Sequence, residues 1–251
     1  MTLPLPTSVT PPRAARRYLR PPAPLLFPEE EKLPEGPIHY QLLVLLWQSV
    51  QHELGDRALV SADQFLYFDP TNPKRCLAPD LAVRLGQPPV LVPSWKTWEL
   101  GAPHVGVEIV GDWDKTDSTT EQKLERYRQA GILEVVRFDP SGKEPRLRLW
   151  DLFDGDLVER DLSDPEARRC DALGLYWTIV EVPVLKSTLR LSRDKEGRDL
   201  LPTPAEAAEA RFHAEQRTAN EARRLAEAER AEKEAALARI AELEAELARK
   251  R

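Results

Sequence analysis

Val105-Gly-Val-Glu-Ile-Val110 is an apolar stretch that contains a single charged residue, Glu108. Alternation along a β-strand places Val107 and Ile109 on one face and Gly106 and Glu108 on the other. A carboxylate halfway along a buried strand is costly unless it is paired or holds a metal ion. The stretch therefore predicts a buried strand that carries either a paired acid or a metal ligand.

A second acid and a lysine occur on the segments around this strand. Asp80 lies in Leu77-Ala-Pro-Asp-Leu-Ala-Val-Arg84, where a proline-led turn enters another apolar strand. Lys123 lies on a helix that we predict to begin at Asp117 or Ser118. Two acids and a lysine on two strands and the following helix indicate a metal-dependent phosphodiesterase site, because Mg²⁺ prefers hard oxygen ligands.

Each of these residues also has an ordinary structural explanation. An acid after a proline is common in turns that enter strands. Glu108 suits a buried ion pair with an arginine such as Arg137. Lys123 suits an exposed helix position, paired with Glu121 or Glu125. The residues alone leave these alternatives open.

Apolar spacing predicts the elements around the site. A helix over residues 38–54 ends at Gly55, and the helix that carries Lys123 ends at Gly131, with Tyr127 packed in the core. Extended stretches predict strands over residues 65–68, 80–85, 105–110, 133–138 and 147–152, and a further hairpin from residues 157–160 and 176–182. This order predicts an α/β fold, a mixed central sheet flanked by helices.

Composition divides the chain into three segments. Residues 1–28 are rich in proline and arginine and predict a flexible tail. Residues 29–202 predict the folded, endonuclease-like domain. Residues 203–251 are dominated by Ala, Glu, Arg and Leu, with Pro204 as the last proline or glycine, and predict one long helix. Only its last two heptads have a strong apolar seam, so the helix is either solvated or a coiled coil with a second copy or a partner helix.

Bulk properties narrow the class of protein. Of 251 residues, 41% are hydrophobic, which suffices for a core, and no apolar run is long enough to span a membrane. Charges at the two ends nearly cancel, so the net charge of −6 falls on the central portion and does not by itself indicate nucleic acid. Cys76 and Cys170 lack metal or redox spacing, and a reduced, cytoplasmic setting fits them.

Several short motifs occur together in a specific order: Ala78-Pro-Asp-Leu-Ala-Val83, Trp95-Lys-Thr-Trp-Glu99, Val107-Glu-Ile-Val110, Gln122-Lys-Leu-Glu-Arg-Tyr127, Gly131-Ile-Leu-Glu134 and Phe138-Asp-Pro140. With this order and spacing, the chain resembles the Uma family of restriction-endonuclease-like proteins, within the PD-(D/E)XK nuclease superfamily. The resemblance covers nearly the whole central domain. An alanine-rich coiled-coil tail is also similar to a common subset of that family.

The resemblance implies a restriction-endonuclease-like fold that cuts DNA with Mg²⁺ or Mn²⁺. It implies Asp80 and Glu108 as metal ligands and Lys123 as the electrostatic catalyst. Glu35, just before the first helix, is the nearest candidate for the additional acid that some relatives supply.

The chain departs from the parent motif at two places. The lysine expected two residues after the strand acid is replaced by Val110, and Lys123 matches the family position on the following helix. The loop Gly111-Asp-Trp-Asp114 adds two acids where relatives carry a Ser-Pro type turn. This loop and the acidic central charge suggest an alternative function, a catalytically degenerate module that recruits a partner through its C-terminal helix.

Overall fold

A computed structural model describes residues 36–111, 117–143 and 145–249, without the side chains of residues 117–119. Its helices, in chain order, are α1 (Pro37–Leu54), α2 (Thr97–Leu100), α3 (Asp117–Ala130) and α4 (Pro204–Arg249). Helices α1 and α3 end where the sequence predicts, because the next residues, Gly55 and Gly131, adopt positive φ angles of 52° and 73°.

The strands of the described residues form three sheets. In chain order they are β1 (Ala58–Ala62), β2 (Leu66–Tyr67), β3 (Cys76–Leu77), β4 (Leu81–Leu85), β5 (Trp95–Lys96), β6 (Val105–Ile109), β7 (Glu134–Phe138), β8 (Leu147–Phe153), β9 (Asp156–Glu159), β10 (Arg169–Cys170), β11 (Leu175–Val182) and β12 (Lys186–Ser192). The central sheet has the order β1-β4-β6-β7-β8-β9. Strands β6 and β7 are parallel and the other neighbours are antiparallel, so the predicted mixed sheet is confirmed.

The central sheet separates two buried cores. On one face, Val107 and Ile109 of β6 pack in a cluster with Leu46 of α1. On the other face, Tyr127 of α3 packs in a cluster with Val135 of β7. A helix therefore covers each face of the sheet, and the α/β architecture predicted from the sequence is confirmed.

The predicted hairpin between residues 157–160 and 176–182 is wrong. Strand β9 pairs with β8 across a tight turn at Asp154 and Gly155, both with positive φ angles. Strand β11 pairs instead with β12, in a separate sheet ordered β10-β11-β12. The dipeptide Asp154-Gly155 is a strong sequence signal for a short hairpin, and here it connects the consecutive strands β8 and β9.

Helix α4 begins at a capping box and is anchored to the domain. Thr203 Oγ1 accepts a hydrogen bond from the Glu206 amide, and the Thr203 amide donates to the Glu206 carboxylate. The buried Arg190 of β12 also donates to Glu206, at 2.8 Å. No residue of α4 is buried, and none of the helices in the described ranges is long and apolar enough to cross a membrane.

Candidate functional site

Glu108 lies on β6, on the sheet face covered by α3, and its side chain is only 12% exposed. Both carboxylate oxygens accept hydrogen bonds from this helix. Lys123 Nζ donates to Oε2 at 2.8 Å, and Tyr127 Oη donates to Oε1 at 2.5 Å. Lys123 and Tyr127 are four residues apart, so they share one face of the helix. Glu108 therefore accepts hydrogen bonds from two side chains of α3.

Gly106 makes this arrangement sterically possible. It lies two residues before Glu108 on the same face of β6, directly beneath the ring of Tyr127. A Cβ atom at Gly106 would lie 2.5 Å from Cε1 of that ring, closer than real side chains approach. The Tyr127 side chain is 1% exposed and therefore held in the core. Glycine lets the ring pass over the strand, with its hydroxyl group directed at the carboxylate.

Asp80 lies immediately before β4 and is 4% exposed. Strands β4 and β6 pair Ala82 with Gly106 and Leu81 with Val107, so one further step in this register places Asp80 opposite Glu108. Asp80 Oδ2 accepts a hydrogen bond from the amide of Ile109 at 2.5 Å. The backbone of β6 thus fixes the second carboxylate beside the first.

His39 of α1 also contacts the second acid. Its Nε2 atom lies 3.1 Å from the carbonyl oxygen of Ile109 and 3.4 Å from Oδ2 of Asp80. The side chain is 8% exposed, and α1 lies on the opposite face of the sheet from α3. Each acid therefore contacts a different helix, Asp80 through His39 and Glu108 through Lys123 and Tyr127.

The electrostatics of the site are dominated by two neighbouring acids. Burial, and after it the charge of Asp80, raise the pKa of Glu108 from its ordinary value of 4.5 to about 7. Lys123 and the hydroxyl group of Tyr127 lower this pKa but do not cancel the rise. A second positive charge near the two carboxylates would therefore stabilise both in their ionised form.

The structure shows that Lys123 of α3 contacts Glu108 of β6. Lys123 donates to Glu108, whereas Glu125 pairs with Arg128 at 2.7 Å. Arg137 lies opposite Glu108 in the pairing of β6 with β7, and both residues line a small cleft between the sheet and α3. Lys123 on α3 therefore lies next to Glu108, as the sequence predicted.

Among the described residues, Asp80 and Glu108 are the two neighbouring carboxylates that could hold a metal ion. Within the described ranges, no cluster of three or more His, Cys, Asp or Glu side chains is arranged to hold a metal ion. Glu35 and the acids of the 112–114 loop lie outside the described residues. Mg²⁺ commonly binds through one or two carboxylates and keeps several waters, so Asp80 and Glu108 fit the requirements of this ion.

Sequence reasoning missed two of the residues that contact the acids. Tyr127 was predicted to pack in the core, which it does, but its hydroxyl group also reaches Glu108. The four-residue spacing from Lys123 was the available signal, because residues four apart share a helix face. The sequence around His39 holds no comparable signal, since its contact with Asp80 depends on how α1 crosses the sheet.

A family model spans all the residues described above for this site. The model is Uma2, described as "Putative restriction endonuclease", and it matches residues 30–179, which is more than half of the chain. The chain belongs to the Uma2 family. The match spans Asp80, Glu108 and Lys123, and the resemblance predicted from the short motifs is confirmed.

Among solved structures, this Uma2 family member is similar to a "putative nuclease belonging to DUF820" from Anabaena variabilis. The two chains are 13% identical, the similarity covers 62% of this chain and 78% of the other, and the TM-score is 0.38. No match is found among curated proteins. Family membership therefore rests on the family model and on the motifs that it spans.

Proposed function

We propose that this Uma2 family member is an Mg²⁺- or Mn²⁺-dependent endonuclease that hydrolyses DNA phosphodiester bonds in the cytoplasm. Asp80 and Glu108 are its metal ligands, and Lys123 is its catalytic cation. The observation that carries the proposal is the position of Glu108, which is buried beside a second acid and accepts a hydrogen bond from Lys123 at 2.8 Å.

The chemistry of the donor set supports a divalent ion. Asp80 and Glu108 present hard carboxylate oxygens from neighbouring strands, and each carboxylate is held by the backbone or by helix side chains. Two neighbouring carboxylates in a desolvated place are costly unless a cation compensates their charge. Lys123 supplies one positive charge, which leaves one negative charge for a bound metal ion to compensate.

The reaction adds a water oxygen to phosphorus and breaks the bond to one sugar oxygen, which leaves with a proton. When bound, the metal ion would polarise the phosphoryl group and lower the pKa of a coordinated water. Lys123 is 39% exposed, so its ammonium group can meet a phosphate group while it remains near Glu108. A positive charge there stabilises the negative charge that grows on the phosphate during attack.

The direct test is cleavage of supercoiled plasmid by the purified chain in Mg²⁺ or Mn²⁺. We expect nicking or linearisation by the wild-type protein, and its loss in Glu108→Gln, Asp80→Asn and Lys123→Met proteins that keep the wild-type circular dichroism spectrum. Glu181→Gln is the control. Glu181 is an exposed acid on β11, in the sheet of β10 to β12, and it pairs with Arg146. Metal-dependent cutting by both the Asp80 and the Glu108 variants would overturn the assignment.

The second candidate function is recruitment of a partner through α4. This helix extends from Pro204 to Arg249 with no buried residue, and it exposes Leu237, Ile240, Leu243 and Leu247 near its end. Such a seam suits a second copy of the helix or a partner helix. Sedimentation of the full chain and of Leu243→Glu distinguishes a self-associating helix from a solvated one, because the charge would disrupt only the former.

A further inference from the structure

We propose that Tyr127 is a positioning residue that fixes the carboxylate of Glu108 for metal binding. The inference rests on the proposed function and assigns a distinct role to a side chain other than Asp80, Glu108 and Lys123. Its basis is the hydrogen bond from Tyr127 Oη to Glu108 Oε1, made by a ring that the core holds in one place.

The ring of Tyr127 has little freedom. It is 1% exposed and packs in the buried cluster between α3 and the sheet. Its edge lies so close to Gly106 that a Cβ atom there would meet it at 2.5 Å. A tyrosine side chain has few rotatable bonds, so fixing the ring also fixes the hydroxyl oxygen. The donor is therefore preorganised by packing rather than by the hydrogen bond itself.

The two donors to Glu108 differ in kind. Lys123 is charged and 39% exposed, and it contacts Oε2, whereas Tyr127 is neutral and buried and contacts Oε1. A carboxylate oxygen has two lone pairs, so each oxygen keeps one acceptor position when one donor is bound. A neutral donor orients the carboxylate without placing a second positive charge against an incoming cation. Tyr127 thus holds the ligand while leaving room for the metal ion.

Partners of this kind have a measurable effect on metal sites. Removing a group that orients a metal ligand commonly weakens metal affinity by about 10- to 100-fold. Tyr127→Phe removes only the hydroxyl group and keeps the ring that fills the core. We therefore expect the dissociation constant for Mn²⁺ to rise about 10-fold in Tyr127→Phe, with kcat for DNA cleavage reduced and KM for DNA unchanged.

The chain offers a matched control and an independent second variant. Tyr176 Oη of β11 donates to Glu166, which lies in the helical turn before β10, at 2.9 Å, so Tyr176→Phe removes the same kind of hydrogen bond away from the site. We expect this variant to bind Mn²⁺ as the wild type does. Gly106→Ala keeps the hydroxyl group but displaces the ring, and we expect it to weaken Mn²⁺ binding at least as much as Tyr127→Phe.

The measurement is calorimetric titration of the full chain with Mn²⁺, alongside thermal unfolding of each variant. Weaker binding in Tyr127→Phe and Gly106→Ala, with Tyr176→Phe unchanged, would support the inference. Wild-type affinity in folded Tyr127→Phe would overturn it and leave the proposed function standing. Absence of Mn²⁺ binding by the wild-type protein at millimolar concentration would overturn the proposed function and the inference with it.

Discussion

Two glutamates lie on the neighbouring parallel strands β6 and β7, and they have opposite surroundings. Glu108 lies on the face covered by α3, and Glu134, opposite Val105 in the strand pairing, lies on the face covered by α1. Glu134 is 3% exposed, accepts from Trp177 Nε1 at 2.7 Å and pairs with Arg160 at 2.9 Å. Both are acids in an apolar strand environment, and each has a second acid opposite it. Asp80, beside Glu108, is buried, whereas Asp151, opposite Glu134, is 45% exposed.

The two glutamates also pair with cations of different exposure, Glu134 with Arg160 and Glu108 with Lys123. Arg160 is 13% exposed, and besides Glu134 it contacts the carboxylate of Asp151 and the carbonyl oxygens of Ala167 and Arg169. Through these contacts, Arg160 links β7, β8 and the segment that leads into β10. Lys123 is 39% exposed at the edge of a cleft. A buried glutamate with a neighbouring acid therefore does not by itself identify a site; a second acid that is also buried and a cation that is accessible to solvent distinguish Glu108 from Glu134.

The largest expected effect separates the two glutamates by activity. Glu108→Gln should reduce DNA cleavage by roughly 10³-fold while the protein stays folded, because it removes a ligand whose metal ion supplies several kcal/mol of transition-state stabilisation. Glu134→Gln should keep cleavage per folded molecule near the wild-type level. Plasmid cleavage rates, normalised to the folded fraction from circular dichroism, measure both. Equal losses of activity in the two variants would remove the distinction.

The next largest effect is on the stability of the protein, and it distinguishes the two cations, Arg160 and Lys123. Arg160→Met should lower the free energy of unfolding by about 3–5 kcal/mol, because it leaves Glu134 buried without its charge partner. Lys123→Met should cost about 1 kcal/mol or less, since Lys123 is partly exposed and Glu108 can take up a proton instead. Urea unfolding at pH 7 compares the two. A larger loss from Lys123→Met than from Arg160→Met would contradict the structural role given to each pair.

The smallest effect is a pH dependence of stability that Glu108→Gln should reduce. The pKa of Glu108 rises from 4.5 in the unfolded chain to about 7 in the folded protein, so the folded state holds an extra proton between these values. Stability from this group is therefore present below about pH 4.5 and is lost as the pH rises through 7. Without added metal, the difference in unfolding free energy between pH 5 and pH 8 should be larger in the wild type than in Glu108→Gln by at least about 1.4 kcal/mol, the equivalent of one pKa unit. An unchanged difference would mean that Glu108 is ionised throughout.

The sequence predicted the elements that depend on local patterns. Glycine at residues 55 and 131 marked two helix ends, and apolar alternation in Val105–Ile109 marked the strand that carries Glu108. The same alternation placed Gly106 and Glu108 on one face, which the contacts of both residues with Tyr127 confirm. These features follow from neighbours in the chain, so the sequence alone contains them.

Features that depend on distant parts of the chain were not predictable in the same way. The pairing of β11 with β12, the pairing of Glu134 with Arg160 and the approach of His39 to Asp80 each join segments that no local pattern relates. In the sequence, Glu108 and Glu134 look alike as single acids in apolar strands, and they differ only in the sheet face and the partners that the fold gives them. The structural partners, rather than the residue type, assign the two roles.

Calorimetric titration with Mn²⁺ of the wild-type, Glu108→Gln and Glu134→Gln proteins decides whether Glu108 is a metal ligand. We expect saturable binding by the wild-type protein, its loss in Glu108→Gln, and wild-type affinity in folded Glu134→Gln. Wild-type affinity in folded Glu108→Gln, or no binding by the wild-type protein at millimolar Mn²⁺, would contradict this assignment.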